Sequence, residues 1–415
     1  MKRNTTILIT VKTKTLLLLM LLLTAAAGIA AQTAATAGSV WQERDLPWPM
    51  GMQHRLDSMM RDTLLDTTHM GFMVWDLTAG RSLFSYNHRQ MLRPASTMKI
   101  LTAIAALDML GGQHPFTTRL YHTGSVSAGT LRGDLYCVGG MDPMFGRTDM
   151  DSLVLALKQM GVKRIAGRIV ADVAMKDTAR WGEGWCWDDD NHTLTPLLVD
   201  RKDNFTQVLT AKLKRAGIDT GRARTATGRL PQEAVLICSR SHTLGDVMHT
   251  MMKESDNLYA ESTFYQVAAS SGNRPASAKD AAKLEKALIE RAGMDPAPYR
   301  IADGSGLSLY NYLSAELEVA LLRYAYQRVD LYDRLLPTLP LAGVDGTLKK
   351  RMKGTPAEGN VQAKTGTLTG VIALAGYLTA ANGHRLCFAI MNQGVLNATE
   401  ARDFQDKLCA IMCGQ

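Results

Sequence analysis

The 415-residue sequence lacks several patterns by which common enzyme classes are recognised. None of its nine histidines forms a His-x-x-x-His pair, and the only cluster that combines acids with histidine is "WDDDNH" at 187–192. Adjacent carboxylates of this kind more often form a solvated surface or a substrate contact, so we predict neither a metal site nor a cofactor. No Gly-x-Ser-x-Gly turn is present, which argues against a hydrolase built on a serine–histidine–aspartate triad.

Basic runs with interleaved aromatic residues are also missing, so the sequence gives no indication of nucleic-acid binding. Cysteine is scarce, with six residues, and the sequence does not reveal which of them pair. Cys409 and Cys413 could meet at positions i and i+4 of a terminal helix, or could simply be buried. The hydrophobic fraction of 46% allows a large core and two or more domains.

The N-terminus has the pattern of a secretory signal. Four basic residues precede an apolar run at 16–23, and small residues follow it, which predicts a signal peptide over 1–31 and a periplasmic protein. An uncleaved membrane anchor is the alternative, but the run falls short of the ~20 residues that a membrane span needs. Loss of 1–31, which has four Lys/Arg and no acid, would lower the formal net charge from +8 to +4. A mild positive charge suits peripheral association with an anionic envelope.

Strand patterns occur at both ends of the chain. The segment 70–88 alternates on both sides of a turn at 78–81, and the segment 361–394 reads as three strands separated by turns at 369–370 and 381–383. A closing helix follows in "ATEARDFQDKLCAIM". We therefore predict an α+β fold in which one antiparallel sheet is assembled from both chain ends and covered by helices.

The middle of the chain has a different pattern of predicted strands and helices. Short strand-like runs and one amphipathic helix around 151–161 predict a mainly β inserted domain over 111–240. The other domain then comprises residues 40–110 and 241–415.

The stretch "RPASTMKILTAIAAL" at 93–107 places an alcohol three residues before an amine. On a helix, Ser96 and Lys99 would share one face and could touch, while small apolar side chains bury the segment. A serine at a helix N-terminus, next to an amine whose pKa is lowered by burial, can become a nucleophile without histidine. The alternative is a capping serine followed by an ordinary surface lysine.

Two further motifs follow in order: Ser255-Asp256-Asn257, and Lys364-Thr365-Gly366-Thr367. Each alone would usually be a helix cap or a strand end. Together with Ser-x-x-Lys they form the signature of penicillin-binding proteins and class A β-lactamases. We predict that Ser96 attacks a carbonyl, Lys99 acts as base, Ser255 passes a proton to the leaving amine and Asn257 orients Lys99 and the substrate amide.

The third motif supplies the remaining parts of an acyl-transfer site. The backbone N–H groups of Ser96 and Thr367 are expected to form the oxyanion hole. Lys364, Thr365 and Thr367 would present positive charge and hydroxyls to a terminal carboxylate, with Gly366 between them.

From about residue 45 to the end, the chain resembles class C low-molecular-mass penicillin-binding proteins, the penicillin-binding protein 4 family of D-alanyl-D-alanine carboxypeptidases and endopeptidases. Besides the three motifs, the resemblance rests on longer strings: "GDLYCVGGMDP" (133–143), "GWCWDDD" (184–190), "DGSGLS" (303–308) and "LPLAGVDGTLKKRMKGTPAEGNVQAKTGTLTGV" (339–371).

The resemblance implies a serine β-lactamase/transpeptidase-like domain in a periplasmic enzyme. Such an enzyme would remove the terminal D-alanine from peptidoglycan stem peptides, or cut D-alanyl cross-links, through a Ser96 acyl-enzyme that β-lactam antibiotics trap. It also implies that Asp189 helps to bind the amino end of the stem's diamino acid, the alternative being a solvated loop at 188–190.

Two rival functions share these motifs. A class A β-lactamase needs a glutamate that activates water, and the nearest fit, Glu285, lies in a run better explained as a packed amphipathic helix. The insertion before Ser255 also argues against a compact β-lactamase. A non-catalytic module that binds the wall or senses β-lactams would keep the same crevice.

One departure from the family affects substrate recognition. After "DGSGLS" the family usually has an arginine that binds a carboxylate of the diamino acid, whereas this chain has Leu309. Leucine cannot make that ion pair, so either another basic residue substitutes or the stem is different or amidated.

We therefore expect cleavage to depend less on that carboxylate than it does in relatives. Rates with stems that carry free and amidated diaminopimelate measure this dependence. A strong preference for the free acid would count against it.

Overall fold

The computed structural model describes residues 46–189, 191–221 and 223–414. The predicted signal peptide over 1–31 and Asp190 lie outside the described residues. Contacts divide the chain into two units, Met1–Gly51 and Met52–Gln415, and the sheets and the site belong to the second unit. No helix of the described part is both long and apolar enough to cross a membrane.

The described residues form thirteen strands and ten α-helices. The strands are β1 (His69–Asp76), β2 (Arg81–Tyr86), β3 (Pro115–His122), β4 (Ser125–Ser127), β5 (Thr130–Arg132), β6 (Leu135–Val138), β7 (Arg164–Ile165), β8 (Ile169–Asp172), β9 (Thr225–Thr227), β10 (Val235–Thr243), β11 (Gln362–Leu368), β12 (Val371–Thr379) and β13 (Arg385–Gln393).

The α-helices are α1 (Met50–Met59), α2 (Met98–Leu110), α3 (Arg147–Gln159), α4 (Phe205–Arg215), α5 (Leu244–Lys253), α6 (Asn257–Ala269), α7 (Ala278–Arg291), α8 (Ala315–Tyr326), α9 (Val329–Leu335) and α10 (Ala398–Cys413). Short 3₁₀ turns lie at Thr63–Asp66, Ala95–Thr97, Leu336–Thr338 and Gly346–Leu348.

The first sheet joins the two ends of the chain, as the alternating patterns predicted. Its strand order is β11-β12-β13-β1-β2, and every neighbouring pair is antiparallel. All residues of β12 except the last are buried. Because successive side chains of a strand point to opposite faces, helices must cover both faces of this sheet. The predicted α+β fold is confirmed.

Helix α2 is buried around its whole circumference. Every residue from Met98 to Leu107 is buried, which explains why the segment has almost no polar side chains. It packs against α6, α8 and the edge strand β11. The charged Lys99 near its start is therefore carried into the interior by its apolar neighbours.

The middle of the chain builds a second core. Its five-stranded sheet has the order β10-β3-β6-β8-β9, in which β6, β8 and β9 run parallel. The predicted helix is present as α3, but α4 was missed, although its buried Phe205, Leu209 and Leu213 recur every four residues. The domain boundaries at 111 and 240 stay a prediction. All six cysteines are free, and Cys409 and Cys413 are both buried.

The loop at 303–308 approaches the turn Ala95–Thr97 very closely. Gly306 has φ +81°, and a Cβ atom there would lie 1.8 Å from the carbonyl oxygen of Ala95. The Asp303 carboxylate accepts the N–H of Gly306 at 2.8 Å and so fixes the loop. Only glycine allows this backbone contact beside Ser96.

Gly306→Ala is expected to destabilise the protein more than Gly272→Ala. Gly272 also has positive φ (+84°) but has open space around its Cβ position, so it serves as the matched control. The control should cost about 1–2 kcal/mol for its left-handed backbone, and the collision at Gly306 should add about 1–3 kcal/mol. Denaturant unfolding measures both losses, and equal losses would contradict the steric argument.

Candidate active site

Ser96 lies in the 3₁₀ turn Ala95–Thr97, immediately before α2. The predicted contact with Lys99 is present: the Lys99 ammonium nitrogen Nζ donates to Ser96 Oγ at 2.8 Å. Ala95 adopts φ +48°, which is uncommon for a residue other than glycine. Tight packing of Gly306 and Gly366 against this turn holds it in place. Ser96 is therefore held in a tightly packed turn at the N-terminus of a buried helix.

The Lys99 amine is fully buried and has three acceptors. Besides Ser96 Oγ, it donates to Asn257 Oδ1 at 2.8 Å and to the Ser305 carbonyl at 2.7 Å. Burial lowers the pKa of Lys99 to about 8, because desolvation disfavours the charged form, while the Asp303 and other nearby carboxylates act in the opposite direction. The neutral amine is therefore accessible near physiological pH.

The second motif stands at the start of α6. Asp256 caps this helix by accepting the N–H of Tyr259 at 3.2 Å, and its carboxylate also pairs with Arg201. Ser255 precedes the cap with φ +60°, a strained backbone that the cap and the ion pair stabilise. This conformation lets Ser255 and Asn257 face the same crevice from two sides of Asp256.

Lys364 enters the crevice from β11. Its Nζ donates to Ser255 Oγ at 2.7 Å and to the Thr365 carbonyl at 2.7 Å, and the side chain is fully buried. Burial lowers the pKa of Lys364 well below its ordinary value, and the nearby charge of Lys99 lowers it further. Two ammonium groups in one desolvated crevice disfavour each other's charged form.

Strand β11 is the edge of its sheet and passes beside the serine turn. A Cβ atom at Gly366 would lie 2.6 Å from the Pro94 carbonyl oxygen, so glycine permits this approach. Thr365 Oγ1 donates to Thr347 Oγ1 at 2.8 Å, while Thr367 is exposed. The three motifs, far apart in sequence, thus meet around one crevice.

The sequence did not predict the buried carboxylates of Glu261 and Asp303 close to Lys99. The buried Glu261 carboxylate accepts the N–H groups of Gly304 (3.1 Å) and Ser305 (2.8 Å), and burial raises the pKa of Glu261 to about 8. Asp303 accepts the N–H of Ser308 at 2.7 Å in the same loop. These carboxylates hold the loop whose Ser305 carbonyl receives Lys99. The string "DGSGLS" contributes to the family resemblance, but its spacing alone does not reveal this role.

Asp189 lies in the loop that follows Trp185, and this loop contacts the loop at 303–308 beside the crevice. Trp185 Nε1 donates to Asp303 Oδ2 at 2.8 Å, which ties the two loops together. Asp189 Oδ2 accepts the N–H of Cys186 at 2.7 Å, so this oxygen stabilises the conformation of its own loop. The substrate role of Asp189 stays a prediction.

Leu309 lies where these two loops meet, and its backbone N–H donates to the Gly184 carbonyl at 3.3 Å. Its carbonyl accepts Nε of Arg93 at 3.0 Å, which brings a guanidinium to the place where the family usually has its arginine. Arg93 is therefore a candidate for a basic substitute.

The geometry agrees with comparisons with known proteins. The family model of the D-Ala-D-Ala carboxypeptidase 3 (S13) family matches residues 52–198 and 195–413. The chain is 27% identical to the D-alanyl-D-alanine carboxypeptidase DacB of Haemophilus influenzae, over 80% of this chain and 86% of that protein. It is 28% identical to the D-alanyl-D-alanine carboxypeptidase of Actinomadura sp. strain R39, over 83% of this chain and 81% of that protein.

A solved structure shows the same architecture. The crystal structure of penicillin binding protein 4 from Haemophilus influenzae superposes with a TM-score of 0.77 at 25% identity, covering 85% of this chain and 98% of that chain. The resemblance to the penicillin-binding protein 4 family is therefore confirmed. The chain belongs to the D-Ala-D-Ala carboxypeptidase 3 (S13) family of peptidases.

Proposed function

We propose that the protein is a serine-type D-Ala-D-Ala carboxypeptidase or endopeptidase that acts on peptidoglycan stem peptides through a Ser96 acyl-enzyme. The observation that carries the proposal is the buried Lys99 amine, which contacts both Ser96 Oγ and Asn257 Oδ1 at 2.8 Å. The relatives named D-alanyl-D-alanine carboxypeptidase support the substrate class.

Acylation begins with proton transfer from Ser96 to Lys99. The neutral Lys99 amine takes the Oγ proton while Oγ bonds to the carbonyl carbon of the penultimate D-alanine. The C–N bond then breaks, and Ser255 Oγ passes a proton to the departing amine of the terminal residue. The 2.7 Å contact between Ser255 Oγ and Lys364 Nζ supports this relay. Water finally attacks the ester carbonyl, the C–O bond to Ser96 breaks, one water proton is returned to Ser96 Oγ, and the shortened peptide leaves as a carboxylic acid.

Charge that develops on the carbonyl oxygen needs preorganised donors. The backbone N–H groups of Ser96 and Thr367 are our candidates, and such a donor is worth about 3–4 kcal/mol of transition-state stabilisation. The position of β11 at the sheet edge supports the role of Thr367, because an edge strand has one row of backbone groups without a strand partner.

Substrate binding supplies the counter-charge that Lys364 lacks. A terminal carboxylate beside Thr365 and Thr367 would raise the pKa of Lys364 and restore its positive charge. That charge in turn disfavours the charged form of Lys99, which must be neutral to act as base. Binding of a carboxylate substrate thereby favours the neutral form of Lys99, which is the form that acts as base.

The remaining specificity residues concern the diamino acid of the stem. We propose that Asp189 contacts its amino end, while Arg93 supports the alternative in which another basic residue replaces the missing arginine. β-Lactams, which mimic the D-Ala-D-Ala end, would acylate Ser96 and inhibit the enzyme.

The alternative functions have less support. A β-lactamase-like hydrolase would need a glutamate in contact with water near Ser96, whereas Glu285 is fully buried within α7. A non-catalytic wall-binding module would not need the base to be buried and pointed at the serine. Secretion to the periplasm and peripheral association with the envelope complete the proposal, and both rest on the N-terminal pattern and charge.

Ser96→Ala is expected to abolish the release of D-alanine from pentapeptide stems and the cleavage of cross-linked muropeptides, lowering rates by about a thousandfold or more. It should also lose the penicilloyl adduct detected by intact-protein mass spectrometry. Ser271→Ala, which changes an exposed serine two residues beyond α6, is the matched control and should behave as the unmodified protein. A penicilloyl adduct that persists in Ser96→Ala would contradict the assignment.

The rate of penicillin acylation is expected to rise with pH and to level off above about pH 8. Because the pKa of Lys99 is lowered to about 8, the neutral fraction of the amine falls as the pH falls through that value. At pH 7 the second-order rate constant should be about tenfold below its plateau. Stopped-flow acylation between about pH 6 and 9 measures it, with circular dichroism confirming that the fold is unchanged. A flat profile below pH 8 would exclude Lys99 as the titrating base.

A further inference from the structure

A second cavity, of about 520 Å³, lies at the carboxyl ends of the parallel strands in the middle sheet. Val138 ends β6, Asp172 ends β8, and Arg229 follows β9 by two residues, and all three line the cavity. Open sheets with parallel strands bind ligands at this edge, and the volume is within the range of about 300–1,000 Å³ typical of small-molecule sites. The position and size are therefore compatible with a small-molecule site.

The cavity is separate from the acylation crevice. Its far wall includes Gln266, Ala269 and Arg274, at and just beyond the C-terminal end of α6. Asn257, which contacts Lys99, begins the same helix. A helix of this length spans about 18 Å, so one helix carries the crevice at one end and the cavity at the other.

Positive charge dominates the lining. Arg119, Arg229 and Arg274 all line the cavity. Among the described residues, the side chains of Arg119 and Arg229 have no hydrogen-bond or ion-pair partner. The Arg274 guanidinium donates only through Nη1, to the carbonyls of Ala269 (2.9 Å) and Asn273 (2.8 Å), which leaves Nε and Nη2 for a ligand.

The one carboxylate in the lining, Asp172, offsets only part of this positive charge. Asp172 is 8% exposed, and its two oxygens accept the N–H groups of Ala174 (2.9 Å) and Leu230 (2.7 Å). It therefore serves to fix its own loop. Three exposed guanidinium groups around one cleft give it a positive potential, which attracts an anion.

We propose that this cavity is a second, non-catalytic binding site for a carboxylate-bearing peptide, namely a peptidoglycan stem. The identity of the peptide rests on the proposed function. A guanidinium binds a carboxylate through two parallel N–H···O bonds, and a stem offers a carboxylate at its terminus and another on its diamino acid. Such a site would hold the enzyme on the wall while the crevice acts on a neighbouring stem.

The rest of the lining favours a peptide over a bare inorganic anion. Val138, Met175 and Leu230 give the cavity apolar walls beside its arginines. Apolar contacts combined with a few charged anchors are typical of organic ligands.

The test uses the full chain acylated by benzylpenicillin, so that the crevice is already filled. Isothermal titration calorimetry then measures binding of a synthetic stem peptide with free carboxylates, the same peptide with its carboxylates amidated, and inorganic phosphate. The free stem should bind, and its affinity should fall with added salt. The amidated stem should bind about tenfold or more weakly.

Arg119→Gln/Arg229→Gln should lower the affinity for the free stem about tenfold or more while leaving the penicillin acylation rate unchanged. Lys214→Gln/Arg215→Gln, which removes the same charge from the exposed end of α4, is the matched control and should bind as the unmodified protein. Equal affinity in the two double variants would overturn the proposal. Phosphate binding as tight as that of the stem would also overturn it, in favour of a phosphate site.

Mass spectrometry separates failure of this site from failure of the proposed function. Absence of a penicilloyl adduct counts against the proposed function, and the same titrations on the unmodified protein still test the cavity. An adduct without stem binding counts against the cavity alone. If the arginine variant does not fold, a photoreactive stem on the acylated protein should crosslink to residues 114–119, 138–140 or 229–230, and crosslinks only elsewhere would refute the site.

Discussion

The structure of the candidate active site depends on the burial of a single amine. Lys99 is carried into the core by an apolar helix, and a buried amine is tolerated only if it is hydrogen-bonded or loses its charge. Its three acceptors, Ser96, Asn257 and Ser305, come from three separate parts of the chain. Satisfying this one group therefore fixes Ser96, the start of α6 and the loop at 303–308 relative to one another. The same burial lowers the pKa of Lys99 to about 8, as its proposed role as base requires.

Backbone strain collects around this amine. Ala95 and Ser255 both adopt positive φ, which costs about 1–3 kcal/mol at each residue. The surrounding packing holds them there: Gly306 and Gly366 press against the turn at Ala95, and the Asp256 cap fixes Ser255. A large core can support such costs, and the result is a set of side chains that need little rearrangement before they react.

The middle of the chain is joined to the centre through polar contacts. Trp185 donates a hydrogen bond to Asp303, and Arg201 forms an ion pair with Asp256. The middle of the chain therefore supports both the loop at 303–308 and the start of α6. At the other end of α6 the same segment forms the arginine-lined cavity. One helix thus connects the reacting groups with the surface at which we propose wall binding.

Local sequence signals were enough to predict the candidate site residues and much of the fold. Ser96, Lys99, Ser255, Asn257 and Lys364 were predicted from three short motifs, and the first sheet was predicted from alternation and turn residues, because these signals are local. What surrounds these residues follows only from the folded chain. Glu261 and the Ser305 carbonyl support Lys99 from positions 162 and 206 residues away, and Arg93 reaches Leu309 across 216 residues. No local pattern encodes such contacts. They arise because burial in one core brings distant groups together and requires each buried polar atom to find a partner.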